Sequence, residues 1–411
     1  MKYSIKDIAD INRNSLKKEE LKKIVYLDTA NLTKNKINEL VDYDTKIDKI
    51  PSRAKRKVED NDILISTVRP NQEHYGILKN TPDNLIVSTG FAVITPKSNL
   101  VDPYYLYALL TQKKITNYLQ VVAENSTSAY PSIKPSVIAN LEIDLLTLNK
   151  QKSIGKFFKS LEYKIELNKQ IISNLEELAS TLFKRWFVDF EFPDENGNPY
   201  KSSGGKMVDN ELGKIPEGWE ATSLSDIANY KNGLAMQKFR PDEDEKSLPV
   251  LKIKELNQGF TDSNSDRCSI DISDEVKIEN GDVVFSWSGT LLAKIWTGGD
   301  AGLNQHLFKV TSNKFPKWYY YLWTKFYMNK FIGIAKDKAT TMGHIKRQHL
   351  NEAKVLIPSI NMLEKFGKVL GPTIDMVTEK GIENLELSNL RDSLLPKLLS
   401  GEIELPEDEE V

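Results

Sequence analysis

Cysteine is nearly absent from this chain: Cys268 is the only one in 411 residues. An intrachain disulfide is excluded, which fits a reducing compartment such as the cytoplasm. Histidine is scarce too, and His74, His306, His344 and His349 are the full set of four. With one thiol and four scattered imidazoles, a Cys/His zinc centre is nearly excluded and no metal site is expected. No run approaches the roughly 20 apolar residues of a membrane span. The opening residues, Met1-Lys2-Tyr3-Ser4-Ile5-Lys6-Asp7, lack an apolar signal core. A soluble cytoplasmic protein without a membrane partner is expected. An excess of one charge is also missing, since 56 basic and 58 acidic side chains leave a net −2. That balance does not exclude nucleic acid, because binding depends on where the charge sits.

Catalytic motifs are missing as well. An amino-methyltransferase needs Asn/Asp-Pro-Pro-Tyr/Phe, and Asn198-Pro199-Tyr200 lacks the second proline. A motor needs Gly-x-x-x-x-Gly-Lys-Ser/Thr to cradle phosphates, a pattern that Ser203-Gly204-Gly205-Lys206 does not meet. Pro241-Asp242 and Asp244-Glu245-Lys246 have the residue types of a Mg²⁺ nuclease but almost no spacing, and read as a charged loop. No Gly-x-Ser-x-Gly elbow stands out. The chain reads as non-catalytic, with no cofactor. A diverged nuclease or methyltransferase, and a two-lobed protein-binding adaptor, remain alternatives.

What is present is a repeat. A chain of this length suggests two or three domains. Ser4-Ile5-Lys6-Asp7-Ile8-Ala9 resembles Ser223-Leu224-Ser225-Asp226-Ile227-Ala228, and Asn61-Asp62-Ile63-Leu64-Ile65-Ser66 resembles Gly281-Asp282-Val283-Val284-Phe285-Ser286. Later in each half the shift is a constant 212, placing Ile133-Lys134 on Ile345-Lys346, Gly155-Lys156 on Gly367-Lys368 and Leu182 on Leu394. Each half therefore reads as a globular α/β region followed by a long helix.

In the first helix, Phe158, Leu161, Ile165, Asn168, Ile172, Leu175, Ala179, Leu182 and Trp186 follow gaps of three and four, the spacing of a coiled-coil seam. The run covers about 33 residues, roughly 50 Å at 1.5 Å per residue. Asn168 either fixes register inside the seam or points to solvent at a break. The second helix offers Leu387, Leu390 and Leu394 among other apolar residues, with a break or kink expected at Gly371-Pro372 and a disturbed end at Pro396. The class expected is mixed α+β: two globular α/β domains separated by two long antiparallel helices that form a coiled-coil spacer, related by a pseudo-twofold axis. The segments are 1–148, a first domain; 149–190, a long helix; 191–210, a linker; 211–360, a second domain; 361–400, a second helix; and 401–411, an acidic tail.

Several segments together resemble one family. Leu212-Gly213-Lys214-Ile215-Pro216-Glu217-Gly218-Trp219 is similar to the motif that leads into target-recognition domains of type I restriction-modification specificity subunits. Leu182-Phe183-Lys184-Arg185-Trp186-Phe187-Val188-Asp189-Phe190 and Leu394-Leu395-Pro396-Lys397-Leu398-Leu399-Ser400-Gly401 resemble the ends of the family's central and distal helices. Ser66-Thr67-Val68-Arg69-Pro70-Asn71 and Gly302-Leu303-Asn304-Gln305-His306 resemble elements inside the domains. The likeness spans essentially the whole chain, although the first half lacks Gly-x-Ile-Pro-x-x-Trp and starts directly at Met1-Lys2-Tyr3, so that a trimmed first strand is expected. It implies a subunit that binds double-stranded DNA at a bipartite asymmetric target. It also implies two methyltransferase subunits docked on the helices and two motor-nuclease subunits completing the complex, with all chemistry on those partners.

Candidate DNA contacts follow from residue type. Arg53, Lys55, Arg56 and Lys57 form a basic run suited to phosphates, or a solvated face. Arg69 and Asn71 follow a strand and could read guanine and adenine, or serve only the turn. Ser128, Tyr130, Ser132 and Lys134 occupy the place that Thr340, Thr341, His344, Lys346 and Arg347 occupy in the second half. Both sets suit phosphate contact, or support the helix that follows. Asn304-Gln305-His306 reads as a buried turn network, and Trp186, Phe187 and Phe190 as packing or partner-docking residues.

Overall fold

In both halves a serine three residues before an aspartate opens a single helical turn. Asp7 accepts from the Ser4 N–H at 3.0 Å, and Asp226 from the Ser223 N–H at 3.1 Å. Each closes a capping box that satisfies donors otherwise orphaned at a helix start. The turns bury Ile5 and Ile8 in one case, Leu224 and Ile227 in the other. The structure is a computed structural model and describes residues 2–17, 22–126, 130–337 and 343–406. Two units emerge: residues 1–164 with 389–411, and residues 165–388.

Unit 1 contains β1 (Lys2–Ser4), α1 (Ile5–Ile8), β2 (Ala9–Ile11), β3 (Lys23–Leu27), β4 (Leu32–Thr33), β5 (Lys36–Ile37), β6 (Val41–Asp44), β7 (Ala54–Lys57), β8 (Ile63–Ser66), β9 (Tyr75–Ile77), β10 (Leu85–Ser88) and β11 (Phe91–Pro96). Then come α2 (Pro103–Leu110), α3 (Lys113–Glu124), α4 (Pro135–Ala139), β12 (Glu142–Asp144) and the start of α5 (Leu148–Phe187). Unit 2 contains β13 (Met207–Asn210), β14 (Gly213–Pro216), β15 (Glu220–Ser223), α6 (Leu224–Ile227), β16 (Asn229–Asn232), β17 (Ser247–Leu251), α7 (Ile253–Gln258), β18 (Arg267–Ser269), β19 (Lys277–Ile278), β20 (Val283–Ser286), β21 (Leu292–Ile295), β22 (Ala301–Leu303) and β23 (Leu307–Thr311). It continues with α8 (Lys317–Phe326), α9 (Met328–Asp337), α10 (Arg347–Asn351), β24 (Lys354–Ile357) and most of α11 (Ile360–Ser400).

Three sheets of each unit repeat strand for strand, with β4-β5 in unit 1 and β13-β14 in unit 2 outside the repeat. Unit 1 has β6-β3-β10-β7, β2-β11-β8-β9 and the pair β1-β12; unit 2 has β18-β17-β22-β19, β16-β23-β20-β21 and β15-β24. The single parallel pairing within each set, β3 with β10 and β17 with β22, recurs too. Thus the mixed class and the repeat expected from sequence are both present. The central strands are apolar without a break because both their faces are covered. Ile63 and Ile65 of β8 face a core that includes α2, while Leu64 faces a second core with Leu27, Leu85 and Val93. In β20, Val283 and Phe285 face one core and Val284 the other.

Within unit 1, Glu162 of α5 meets Arg391 of α11 at 2.7 Å, and Lys150 meets Glu404 just past its end. Within unit 2, Asn168 meets Asn384 at 3.1 Å and Trp186 stacks on Phe366 at 5.0 Å. Rising numbers on one helix meet falling numbers on the other, so in each unit the pairing is antiparallel. Phe158, Leu161 and Ile165 are buried, whereas Ile172, Leu175, Leu182, Leu387 and Leu394 are half-buried. Leu390 departs from the expected seam and is 43% exposed. Asn168 is fully buried, so it lies in the seam.

A break in the second helix is corrected: α11 runs unbroken through Pro372 and Pro396. An interior proline costs about 3 kcal/mol. Phe366, Leu370 and Ile374 flank Pro372 and are almost wholly buried. At about 1.5–3 kcal/mol each, their burial outweighs that cost. Gly367 and Gly371 let the helix lie against Trp318, where a Cβ on Gly367 would come within 3.3 Å of the indole nitrogen. Residues 191–210 fold back as well, with Phe192 stacked between Tyr200 at 4.6 Å and Trp219 at 5.4 Å. Among the described residues no helix is long and apolar enough to cross a membrane.

Candidate nucleic-acid interface

Beyond Ser66 the chain leaves β8 and cannot continue its ladder, so its polar groups find other partners. The Ser66 hydroxyl donates to the Val68 carbonyl at 2.8 Å, and the Thr67 hydroxyl to that of Gly90 at 2.8 Å. Val68 forms an isolated antiparallel bridge with Ser132, in which the Arg69 N–H donates to Pro131 at 2.9 Å and the Ile133 N–H to Thr67 at 2.8 Å. Two stretches about sixty residues apart in sequence are thereby joined, and Arg69 and Asn71 lie beside Tyr130, Ser132 and Lys134. Arg69, Asn71, Tyr130 and Lys134 are exposed, and Ser132 is half-buried. Gln120 of α3, which the sequence did not single out, accepts from the Asn71 N–H at 3.1 Å. Ser128 lies outside the described residues.

Unit 2 builds the same junction. The Ser286 hydroxyl donates to the Ser288 carbonyl at 3.1 Å, and Ser288 bridges His344, with Gly289 donating to Gly343 at 2.9 Å and Ile345 to Trp287 at 3.0 Å. The side chains are different. Trp287 lies 5.9 Å from the His306 ring and 6.3 Å from that of His344, and His306 Nδ1 is 3.1 Å from the Ser288 hydroxyl. Gln305, His344 and Lys346 are exposed. Asn304 is buried and its side chain accepts from the His306 N–H at 3.3 Å. The turn network expected there holds Asn304 and the half-buried His306, while Gln305 is exposed. Trp287 escaped the sequence reading, although the 220-residue offset between Ser66 and Ser286 leads directly to it. Thr340 and Thr341 lie outside the described residues.

Arg347 does not join this group. Its guanidinium donates to the Tyr230 carbonyl at 3.0 Å, sits 5.5 Å above the Phe308 ring, and borders an open cavity of about 460 Å³ shared with Asp226 and Lys314. The basic run is also divided. Arg53 sits in a turn, while Ala54, Lys55, Arg56 and Lys57 form β7, where a register shift leaves Lys55 unpaired, Arg56 stands opposite Val87 and Lys57 opposite Ile86. Ala54 packs in a small core with Ile24, Tyr26 and Ile86. Arg56 Nε is buried with no partner among the described residues, and burial lowers its pKa from the ordinary guanidinium value. Four cations adjacent in sequence are thus not one patch. Among the described residues no group of three or more His, Cys, Asp or Glu could hold a metal ion.

The family model described as the type I restriction modification DNA specificity domain matches residues 1–177 and again 216–387. The chain belongs to the type I restriction-modification DNA-specificity family.

Two known specificity subunits are similar over most of their length. The HindI type I restriction enzyme specificity subunit of Haemophilus influenzae is 26% identical, covering 96% of this chain and 98% of that protein. The MjaIX subunit of Methanocaldococcus jannaschii is 26% identical over 84% of this chain and 78% of its own. A crystal structure of the type I restriction-modification S subunit from M. genitalium shares the fold, with a TM-score of 0.55 at 16% identity over 97% of this chain and 95% of that one. As a specificity subunit the chain is the DNA-recognising, non-catalytic component of its system. The two matches begin at or just before β1 and β15, the first strand of each repeat.

Proposed function

We propose that each unit of this specificity subunit reads one half of a bipartite, asymmetric duplex target, and that α5 and α11 dock two methyltransferase subunits, with two motor-nuclease subunits completing the complex. The observation that carries the reading is one junction built twice with different side chains. The junction carries Arg69, Asn71, Tyr130, Ser132 and Lys134 in unit 1, and Trp287, Gln305, His306, His344 and Lys346 in unit 2. Arginine suits guanine, glutamine and asparagine suit adenine, and lysine suits phosphate. Unlike copies of one frame call for unlike half-sites. For docking, Leu178 and Leu390 are equivalent in the repeat and are 48% and 43% exposed, apolar surface that a partner would cover. Methyl transfer from S-adenosylmethionine and ATP-driven cleavage belong to the partners.

The test is selection of random duplexes by the purified complex of this chain with its methyltransferase subunit. A single split motif with two different halves is expected. Binding without any sequence preference would refute the reading.

A further inference from the structure

Eight non-glycine residues among those described have positive φ, and four of them, Lys34, Asn35, Arg69 and Glu73, lie in two adjoining turns of unit 1. Asparagine tolerates that region, whereas lysine, arginine and glutamate adopt it only at a cost in free energy. Arg69 and Glu73 flank the 3₁₀ turn Pro70–Gln72. Lys34 and Asn35 link β4 to β5. The turns are tied together: Lys34 N–H donates to the Glu73 carbonyl at 3.0 Å, its ammonium meets the Glu73 carboxylate at 2.8 Å, and Asn35 N–H donates to Tyr75 at 2.8 Å. His74 Nδ1 donates to the Leu32 carbonyl at 2.6 Å.

The fold demands the left-handed backbone at this point but not the arginine. The equivalent position in unit 2, three residues beyond the strand-ending serine, is Gly289 at φ 63°. Its N–H donates across the bridge as that of Arg69 does. Glycine meets the requirement without strain. Arginine at φ 47° meets it with strain, and among the described residues its exposed guanidinium has no protein partner. Among the described residues no hydrogen bond or ion pair of the guanidinium offsets that strain, and an acceptor outside the chain would supply the return. A phosphate contact is met by any flexible cation. A guanidinium fork whose backbone is held on both sides suits a planar, two-pronged acceptor.

We infer that Arg69 is a specificity-determining residue, which pairs with the O6 and N7 of one guanine in the half-site read by unit 1. The inference rests on the two-half reading above. It deepens that reading by naming one base and the residue that selects it.

The experiment compares motifs selected from random duplexes by the complete complex carrying wild-type chain, Arg69→Gly or Arg69→Lys. Arg69→Gly keeps the backbone conformation and relieves its strain, so folding is preserved. The expected result is a wild-type motif with one guanine in one half that becomes degenerate in both variants. Discrimination at that position should fall roughly 5- to 150-fold, with the other half and the salt dependence unchanged. A wild-type split motif that Arg69→Gly leaves intact overturns the inference alone. So does a uniform loss across all sequences with a shallower salt dependence, which marks a phosphate contact. A wild-type complex with no motif overturns the two-half reading and the inference together.

Discussion

Asn168 is the polar residue whose replacement should strengthen this protein. It is fully buried between α5 and α11; its Nδ2 donates to Asn384 Oδ1 at 3.1 Å, and among the described residues its own Oδ1 has no donor. A buried acceptor left unpaired costs about 1–3 kcal/mol. Burying leucine there instead adds about 1.5–3 kcal/mol of apolar transfer. Against this stands one lost amide hydrogen bond, about 1 kcal/mol, and Asn384 is only half-buried, so water can replace its partner. With allowance for imperfect fit, Asn168→Leu should stabilise unit 2 by about 2 kcal/mol. The chain supplies its own reporter, because Trp186, Trp219, Trp287, Trp296, Trp318 and Trp323, all six tryptophans, lie in unit 2. Urea unfolding followed by tryptophan fluorescence should show a midpoint raised by about 0.7 M at an m-value near 3 kcal/mol/M, with that slope unchanged. A lower or unmoved midpoint would show that the amide pair is net stabilising and that the reasoning is wrong.

Three further outcomes are expected. Phe187 is fully buried among Trp219, Trp318, Trp323 and Phe366, so Phe187→Ala should cost unit 2 about 3–5 kcal/mol by the same fluorescence assay; a loss below 1 kcal/mol would contradict that packing. Burial pushes the Asp62 carboxyl up to about 6, against hydrogen bonds from Thr95 and Glu59 that pull it down. A folded value above the unfolded one near 3.9 gives stability that is present at low pH and lost as pH rises through about 6, on the order of 3 kcal/mol. The urea midpoint of Asp62→Asn relative to wild type, followed by circular dichroism, should therefore climb between pH 4.5 and 7 and then level off; a flat difference would remove the buried-carboxylate account. Changing the exposed Lys55 to Ala should flatten the log affinity against log salt slope by about 0.9, the value of one lost phosphate contact. Arg56→Ala should leave that slope alone and alter stability instead, and equal slopes for the two variants would count against the split of the basic run.

Much of the frame was legible because repetition needs no energetics. Ser4 and Ser223, Asp62 and Asp282, Ile133 and Ile345 announce the same local structures wherever they occur. The three-and-four spacing from Phe158 to Trp186 requires a helix with a buried stripe. Phe183 and Phe187 lie off that stripe yet are buried, because the end of α5 is enclosed by Trp219, Trp323 and Phe366, residues remote in sequence. No local pattern records such enclosure. Pro372 was misread for the same reason: intrinsic propensity is local, and the packing that overrode it is not.

The recognition surface divides along the same line. Residue type alone nominated Arg69, Tyr130 and Lys134, since fork geometry and charge belong to the side chain wherever it sits. Only the tertiary structure placed them together, across the bridge between Val68 and Ser132. It also withdrew Arg347 to the Tyr230 carbonyl and buried the Nε of Arg56 while leaving Lys55 beside it exposed. By itself the sequence determined that one frame is built twice, because periodicity and capping act over a few neighbouring residues. Which side chains share a surface was decided by long-range pairing, where a single position along a strand separates an exposed cation from a partly buried one.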